Sequence, residues 1–427
     1  MKKIGIGIVG LGNIGSCLYK EIISKKKDIG LKTHTNINIV AISAKNTNKK
    51  RSFKVRRNIF FKNALDVTKN PKVNIVIELI GFSDGISKKV VEEALKNKKH
   101  VITANKALIS KHGDHLSSIA EKNKVNLEFE AAVGGGIPVL RTIKDGLATN
   151  KINKVVGILN GTSNYILSQM QKTKNSFRNV LKKAQLLGFA EANPKFDLDG
   201  TDVLAKIRIL SSLSFNNKIS KNNCLINGIE NIELKDIDMA EKLDLRIKLL
   251  GITEIINDKL FERVHPCLIK KDNYIANIDG VMNAVILEGN PVGESVLQGE
   301  GAGPGPTSSA LMSDLLSILR GNIKFPFGIP SNKRKKVSSY DQKKYSNSLY
   351  LRFEVKDKPG VLSQITKQLA KYNISIERLI QIPDHKRKRA SIVIITHRSK
   401  ELFLSKCLKS FKSNKNVLKF PTLIRLF

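Results

Sequence analysis

Asp202 and Lys206 stand four residues apart in the segment GTDVLAK, residues 200–206. If residues 201–213 form a helix, that spacing puts both side chains on one face. Val203, Leu204, Ile207, Ile209 and Leu210 cover much of the rest, so the helix reads as largely buried. An exposed pair at this spacing is worth only ~0.5 kcal/mol. A lysine at a desolvated site has a lowered pKa and can move a proton. Glu191 lies upstream, beyond a turn containing Asn193 and Pro194. Folded back onto the same site, its carboxylate suits an ammonium group. Lys195, Asp197 and Asp199, in the same stretch, are assigned no role.

A second lysine, Lys106, follows Thr103-Ala104-Asn105 at the carboxyl end of a buried strand. That edge of a doubly wound sheet is where ligands bind. The competing account is a solvated loop lysine. Further upstream, Gly10-Leu11-Gly12-Asn13-Ile14-Gly15 is a G-x-G-x-x-G turn between a strand and a helix. Gly10 allows the tight turn, Gly12 lets the backbone approach a pyrophosphate, and Gly15 lets helix and strand pack closely. The helix start then faces the phosphates. The second strand ends in Ser43-Ala44-Lys45, followed by Lys49-Lys50-Arg51, with no acid before Asp66. NAD binders place an acid there for the ribose hydroxyl; cations suit a 2′-phosphate. The reading is NADP over NAD, against which stands the lysine excess of the whole chain.

These residues need elements to hold them. Apolar strands at 3–9, 37–43, 74–81, 99–105 and 125–133 alternate with helices at 13–25, 86–97 and 114–123. That pattern predicts a parallel, doubly wound sheet over 1–133, completed by a helix within about 303–330. Residues 134–302 mix helices (160–173, 176–187, 201–213, 238–247) with strands (153–159, 260–268, 282–288) and read as an α+β substrate and dimerisation domain. The basic, serine-rich stretch 331–348 reads as a linker. Residues 349–427 show a βαββαβ order, the ferredoxin-like split motif.

The chain has 427 residues, with Lys+Arg 74 against Asp+Glu 37 and a net charge of +37. Such a charge raises a nucleic-acid or anionic-membrane partner as the alternative reading. The lysines are scattered and aromatics make up only 6%, so general bias is favoured. Cys17, Cys224, Cys267 and Cys407 are far apart and form no zinc or disulfide pattern. The apolar N-terminus is broken by glycines, unlike a signal peptide. No segment reaches the ~18 apolar residues of a membrane span. The expectation is a soluble, cytoplasmic protein.

Taken together, GLGNIG, HVITANKALIS, LEFEAAVGGGIPVLR, GILNGTSNYIL, AQLLGFAEANP, GTDVLAKIRILS, GEGAGPGPTSSA and LRFEVKDKPGVL resemble homoserine dehydrogenases that carry a C-terminal ACT domain. The resemblance implies interconversion of L-aspartate 4-semialdehyde and L-homoserine with a nicotinamide cofactor. It implies Lys206 as proton donor, Lys106 as a second active-site lysine near cofactor and substrate, and Glu191 and Asp202 as substrate-holding carboxylates. It also implies a sodium site of mainly backbone oxygens at Glu130, Val133, Gly135 and Ile137, and a second cofactor contact at Gly303. A homodimer or homotetramer is expected. Threonine is the expected effector of the ACT domain, with a purely dimer-forming domain as the competing reading. Two positions depart from the family: Asn193 where EADP is usual, and Phe82 where a second glycine follows ELIG. A related acyl-forming dehydrogenase would need a nucleophilic cysteine, and none lies in a turn beside a base.

Overall fold

The computed structural model describes residues 1–46, 53, 56–321, 323–384, 386 and 388–427. Lys49, Lys50 and Arg51, invoked for the 2′-phosphate, lie outside the described residues.

Six parallel strands form the first sheet, in the order 60–61, 35–43, 2–9, 75–78, 100–103, 127–128. The inner strands are isoleucine- and valine-rich, and Ile75–Glu78 is buried throughout, because helices cover both faces. The helix Pro304–Leu319 returns to pack on Asn13–Ser24. Its Leu311 and Leu315 join Ile6, Ile8 and Leu18 in one core cluster.

Two expectations for this lobe need correction. The expected strand 125–133 pairs only at Leu127–Glu128, and Glu130–Ala132 forms a 3-10 turn. The Glu130 N–H leaves the sheet to donate to Asp314 Oδ2 at 3.0 Å. The helix expected at 114–123 begins at Lys106, because the Asn105 side chain accepts the Leu108 N–H at 3.0 Å and caps it.

The second sheet runs in the order 293–300, 282–290, 151–158, 245–256, 259–270, 422–426, 349–356, 389–396, 376–384. The stretch 238–247, expected as helix, is corrected to a helix Leu234–Lys242 followed by a strand Leu245–Ile256. A capping box between Glu233 and Asp236 starts the helix early, and Asp244 turns the chain at φ 59°. The strand Gly293–Glu300 was also not anticipated. Thr201–Ser214 packs on Leu245–Ile256, and a Cβ on Gly251 would lie 2.4 Å from Ile207. That glycine lets helix and strand approach.

The last four strands are those of the ferredoxin-like unit, ordered 422–426, 349–356, 389–396, 376–384, with helices Val361–Lys371 and Glu401–Ser410. Strand Thr422–Leu426 pairs parallel with Lys259–Lys270 through Cys267–Arg425 and Leu268–Leu426, so the two sheets are continuous. The 331–348 stretch does not run free as a linker. Lys335 bridges to Asn217 and Ser339 to Leu260. Arg334 is 2% exposed and pairs with Asp114 at 2.7 Å. Its basic composition gave no sign of that buried arginine.

Candidate functional site

The helix Thr201–Ser214 buries Lys206 and Asp202 together, at 7% and 6% exposure. Asp202 Oδ2 lies 2.7 Å from Lys206 Nζ, and Oδ1 lies 2.6 Å from Lys106 Nζ. One carboxylate thus joins a lysine of the first lobe to a lysine of the second. Lys206 also donates to the Leu159 carbonyl at 2.5 Å. The Asn160 amide donates to Asp202 Oδ2 at 2.9 Å and to Asp197 Oδ1 at 2.8 Å. Its own oxygen accepts the Ser163 N–H at 2.8 Å and caps the helix Gly161–Thr173.

The two lysines titrate in opposite directions. Burial pushes the Lys206 ammonium below its usual range, and the like charge of Lys106 adds to this; Asp202 only partly offsets both. For Lys106, burial also acts downward, but the attraction of Asp202, with smaller pulls from Asp197 and Glu191, raises it overall. Its side chain is 45% exposed, so it faces the cleft. Burial would raise the Asp202 carboxyl, but Lys206 and then Lys106 hold it well below the usual carboxylate range. Asp197 is raised, chiefly by burial. The arrangement offers a cation that can release a proton beside one that keeps its charge.

Glu191 is brought near enough for its charge to act on Lys106, but it is exposed and is not drawn into the Asp202 ion cluster. Sequence reasoning missed Asn160, Asp197, Asn105 and Glu78. Glu78 is fully buried and accepts from Ile80 N and Ser87 Oγ at 2.7 Å and from Thr103 Oγ at 2.7 Å. Asn105 ties Ser87 and the Phe82 carbonyl to the start of the Lys106 helix, each at 2.8 Å. Asn105 adjoins a lysine that was singled out. Asn160 sits in GILNGTSNYIL, a readable Asn N-cap signal.

A cavity of about 670 Å³ opens at the carboxyl edge of the first sheet, lined by Gly10, Gly12, Lys45, Lys62, Leu79 and Phe82 among others. Gly10 has φ 103°, and a Cβ there would lie 2.7 Å from the Leu79 carbonyl oxygen. A Cβ on Gly15 would come within 2.2 Å of the Gly10 carbonyl oxygen, whereas nothing lies within 4 Å of one on Gly12. The backbone at Gly12 is therefore open to a ligand. No side chain caps Asn13–Ser24, which leaves the first-turn N–H groups of Asn13, Ile14 and Gly15 facing outward, a fit for a pyrophosphate. Lys45 is exposed at the cavity rim. Gly303, at φ 113°, starts the helix Pro304–Leu319.

Glu130, Val133, Gly135 and Ile137 share one turn, with Gly134 at φ 76° and Gly135 at φ 56°. The Glu130 carboxylate is committed to the N–H groups of Leu140 and Arg141, each at 2.8 Å. Among the described residues no group of three His, Cys, Asp or Glu side chains could hold a metal. Backbone oxygens are what this turn has to offer a cation, which fits a hard monovalent ion rather than a transition metal.

Comparison with known proteins identifies the family and agrees with the fold. Residues 138–316 match the homoserine dehydrogenase family model, 10–130 the homoserine dehydrogenase NAD-binding domain and 349–402 the ACT domain. The homoserine dehydrogenase of Neisseria gonorrhoeae is 38% identical over 434 residues, covering 100% of this chain and 99% of that protein. That of Bacillus subtilis is 35% identical over 96% and 95%. The crystal structure of a homoserine dehydrogenase from Thiobacillus denitrificans superposes with a TM-score of 0.92 at 34% identity, covering 100% and 99%. The chain belongs to the homoserine dehydrogenase family, oxidoreductases that act on a CH–OH donor and take a nicotinamide nucleotide.

Proposed function

We propose that the chain reduces L-aspartate 4-semialdehyde to L-homoserine with NADPH in preference to NADH, and runs the reverse oxidation at the same site. The observation that carries this reading is Asp202 held between Lys206 and Lys106 at 2.7 and 2.6 Å. When bound, the reduced nicotinamide would supply the hydride that the aldehyde carbon takes up. Negative charge builds on the carbonyl oxygen, and Lys206 stabilises it and gives it a proton. In the oxidation a neutral Lys206 takes the hydroxyl proton back. Lys106 keeps its charge and orients the substrate against the cofactor side of the cleft. Glu191 holds the substrate ammonium group, and Asp202 fixes both lysines. Gly10, Gly12, Asn13, Ile14, Gly15 and Gly303 hold the cofactor, with Lys45 toward the 2′-phosphate.

The backbone oxygens of Glu130, Val133, Gly135 and Ile137 hold Na⁺, which would steady the turn beside the Gly301 backbone. A Cβ on Gly135 would lie 2.4 Å from Gly301. The ACT domain binds threonine and inhibits, and the enzyme works as a cytoplasmic homo-oligomer. Among the described residues no helix is long and apolar enough to cross a membrane.

The test is a spectrophotometric assay of homoserine oxidation with NADP and NAD in parallel, in sodium and in potassium buffers, with and without threonine. Faster turnover with NADP, support by sodium and inhibition by millimolar threonine are expected. No turnover with either cofactor sinks the activity. Preference for NAD removes the role of Lys45, and no threonine effect leaves the ACT domain as an assembly element.

A further inference from the structure

The cofactor cavity takes up the carboxyl edge of the first sheet. The opposite edge, where the strands begin, carries a second cavity of about 650 Å³, close to the 670 Å³ of the first. Lys2, Lys69, Lys98, Lys99, Lys124 and His100 line it. Among its described lining residues there is no Asp or Glu. In the whole chain bases outnumber acids only 74 to 37, so five lysines with no acid exceed the general excess.

Helix dipoles account for part of this positive charge. The helices Ala64–Lys69, Ile86–Lys96 and Lys106–Lys122 end at this edge. Lysines there offset the negative ends of the helix dipoles, about half a charge each. With the end of Pro304–Leu319, whose Ile318 and Leu319 also line the cavity, four such ends offset about two of the five ammonium charges. The carboxylate whose charge reaches His100 is Glu128, and it is already paired with Lys144 at 2.8 Å.

Two lining groups are held in place rather than loose. Lys99 is 7% exposed and donates to the carbonyls of Asn70 and Val73 at 2.5 and 2.7 Å. His100 Nδ1 accepts the Asn126 N–H at 3.1 Å. The neutral ring then carries its proton on Nε2, a donor. Burial, followed by the charge of Lys2, lowers the His100 pKa, with Glu128 acting in the opposite sense. An anion seated beside it would raise it. A further wall is aliphatic, formed by Ile318, Leu319 and Ile323, and Ile323 is 61% exposed.

We propose that this cavity binds a small phosphorylated organic anion, its phosphates on Lys2, Lys98 and Lys124 beside His100 and its apolar part against Ile318, Leu319 and Ile323. The full-length protein, loaded with one equivalent of NADPH per chain to fill the cofactor cavity, is titrated calorimetrically with pyrophosphate and separately with ADP. Each is expected to bind at one site per chain, with ADP the tighter because it alone reaches the aliphatic wall. Lys98 and Lys124 have φ 55° and 54°, a left-handed conformation that asparagine tolerates. The double variant Lys98→Asn/Lys124→Asn therefore removes two charges without strain and should weaken both ligands by about tenfold. Lys182→Asn/Lys183→Asn, on an exposed helix elsewhere, should change nothing. His100 ring resonances should move on ligand addition, and its titration should shift to higher pH. Absence of saturable binding, or equal weakening in both double variants, overturns the site. Equal affinity for pyrophosphate and ADP overturns the role of the aliphatic wall.

Discussion

Asp202 and Asp236 are both buried against cations, and the two clusters differ. Asp202 sits between Lys206 and Lys106. Asp236, fully buried, sits where the helix Leu234–Lys242 meets the ACT strand Leu349–Lys356. It accepts from Arg352 Nε at 2.6 Å, Arg352 Nη2 at 2.9 Å, the Tyr350 hydroxyl at 3.0 Å and the Glu233 N–H at 2.9 Å. Arg352 spends its remaining donors on Glu354 at 2.6 Å and Thr422 at 3.1 Å. Burial works against the Arg352 charge, but its bonds to Asp236 outweigh it and raise the pKa further. That cluster is closed, and its arginine is held in the charged form. At Asp202 one cation faces the cleft and the other is biased toward losing its proton. Burial and pairing alone therefore do not mark a catalytic site. What sets the Asp202 cluster apart is a cation pushed toward release of its proton, next to an opening.

The largest effect should come from Lys206. Lys206→Ala is expected to lower turnover by about 10²–10⁴ while leaving NADPH binding intact, measured by fluorescence titration. Lys206→Arg should be as poor, because guanidinium keeps the charge but not the transferable proton. An active Lys206→Arg enzyme would reduce this site to the kind of fixed ion cluster seen at Asp236.

The ACT junction should respond in stability instead. Arg352→Met leaves Asp236 buried without its main partner, at a cost of about 3–5 kcal/mol by chemical denaturation. Turnover per folded molecule should hold. Adding Asp236→Leu should recover most of the loss, short of about 1 kcal/mol for the helix cap. If Arg352→Met keeps full stability yet lowers turnover, the two regions are not separable in this way.

The contrast also explains what could be read beforehand. Gly10–Gly15 and the Asp202–Lys206 spacing are local patterns, so the glycine turn between strand and helix and the buried Asp202–Lys206 pair were visible in the chain. The ferredoxin-like order was visible for the same reason. Asn160 and Asp202 are 42 residues apart, and Arg352 and Asp236 are 116 apart. Only the fold brings those together, and nothing in an isolated arginine or asparagine announces its partner. The strand Leu245–Ile256 was hidden by Lys248, which looks like a surface residue. It is 1% exposed and pairs with Asp279 at 2.8 Å.

The finest distinction concerns the charge on Asp202. In the proposed mechanism Lys206 is protonated for the reduction and neutral for the oxidation. Burial and Lys106 both push its pKa down, and Asp202 pushes it up. Asp202→Asn removes the upward push at nearly constant shape. Reduction should then fall away at lower pH than in the native enzyme, and oxidation should begin at lower pH. Lys106→Met removes a like charge, so the same limbs should move the opposite way. Its own loss of substrate orientation should appear in KM and in the height of the profile rather than its position. pH–rate profiles in both directions for the two variants decide this. Limbs that stay put in both would mean that Asp202, like Asp236, holds structure and does not tune a proton.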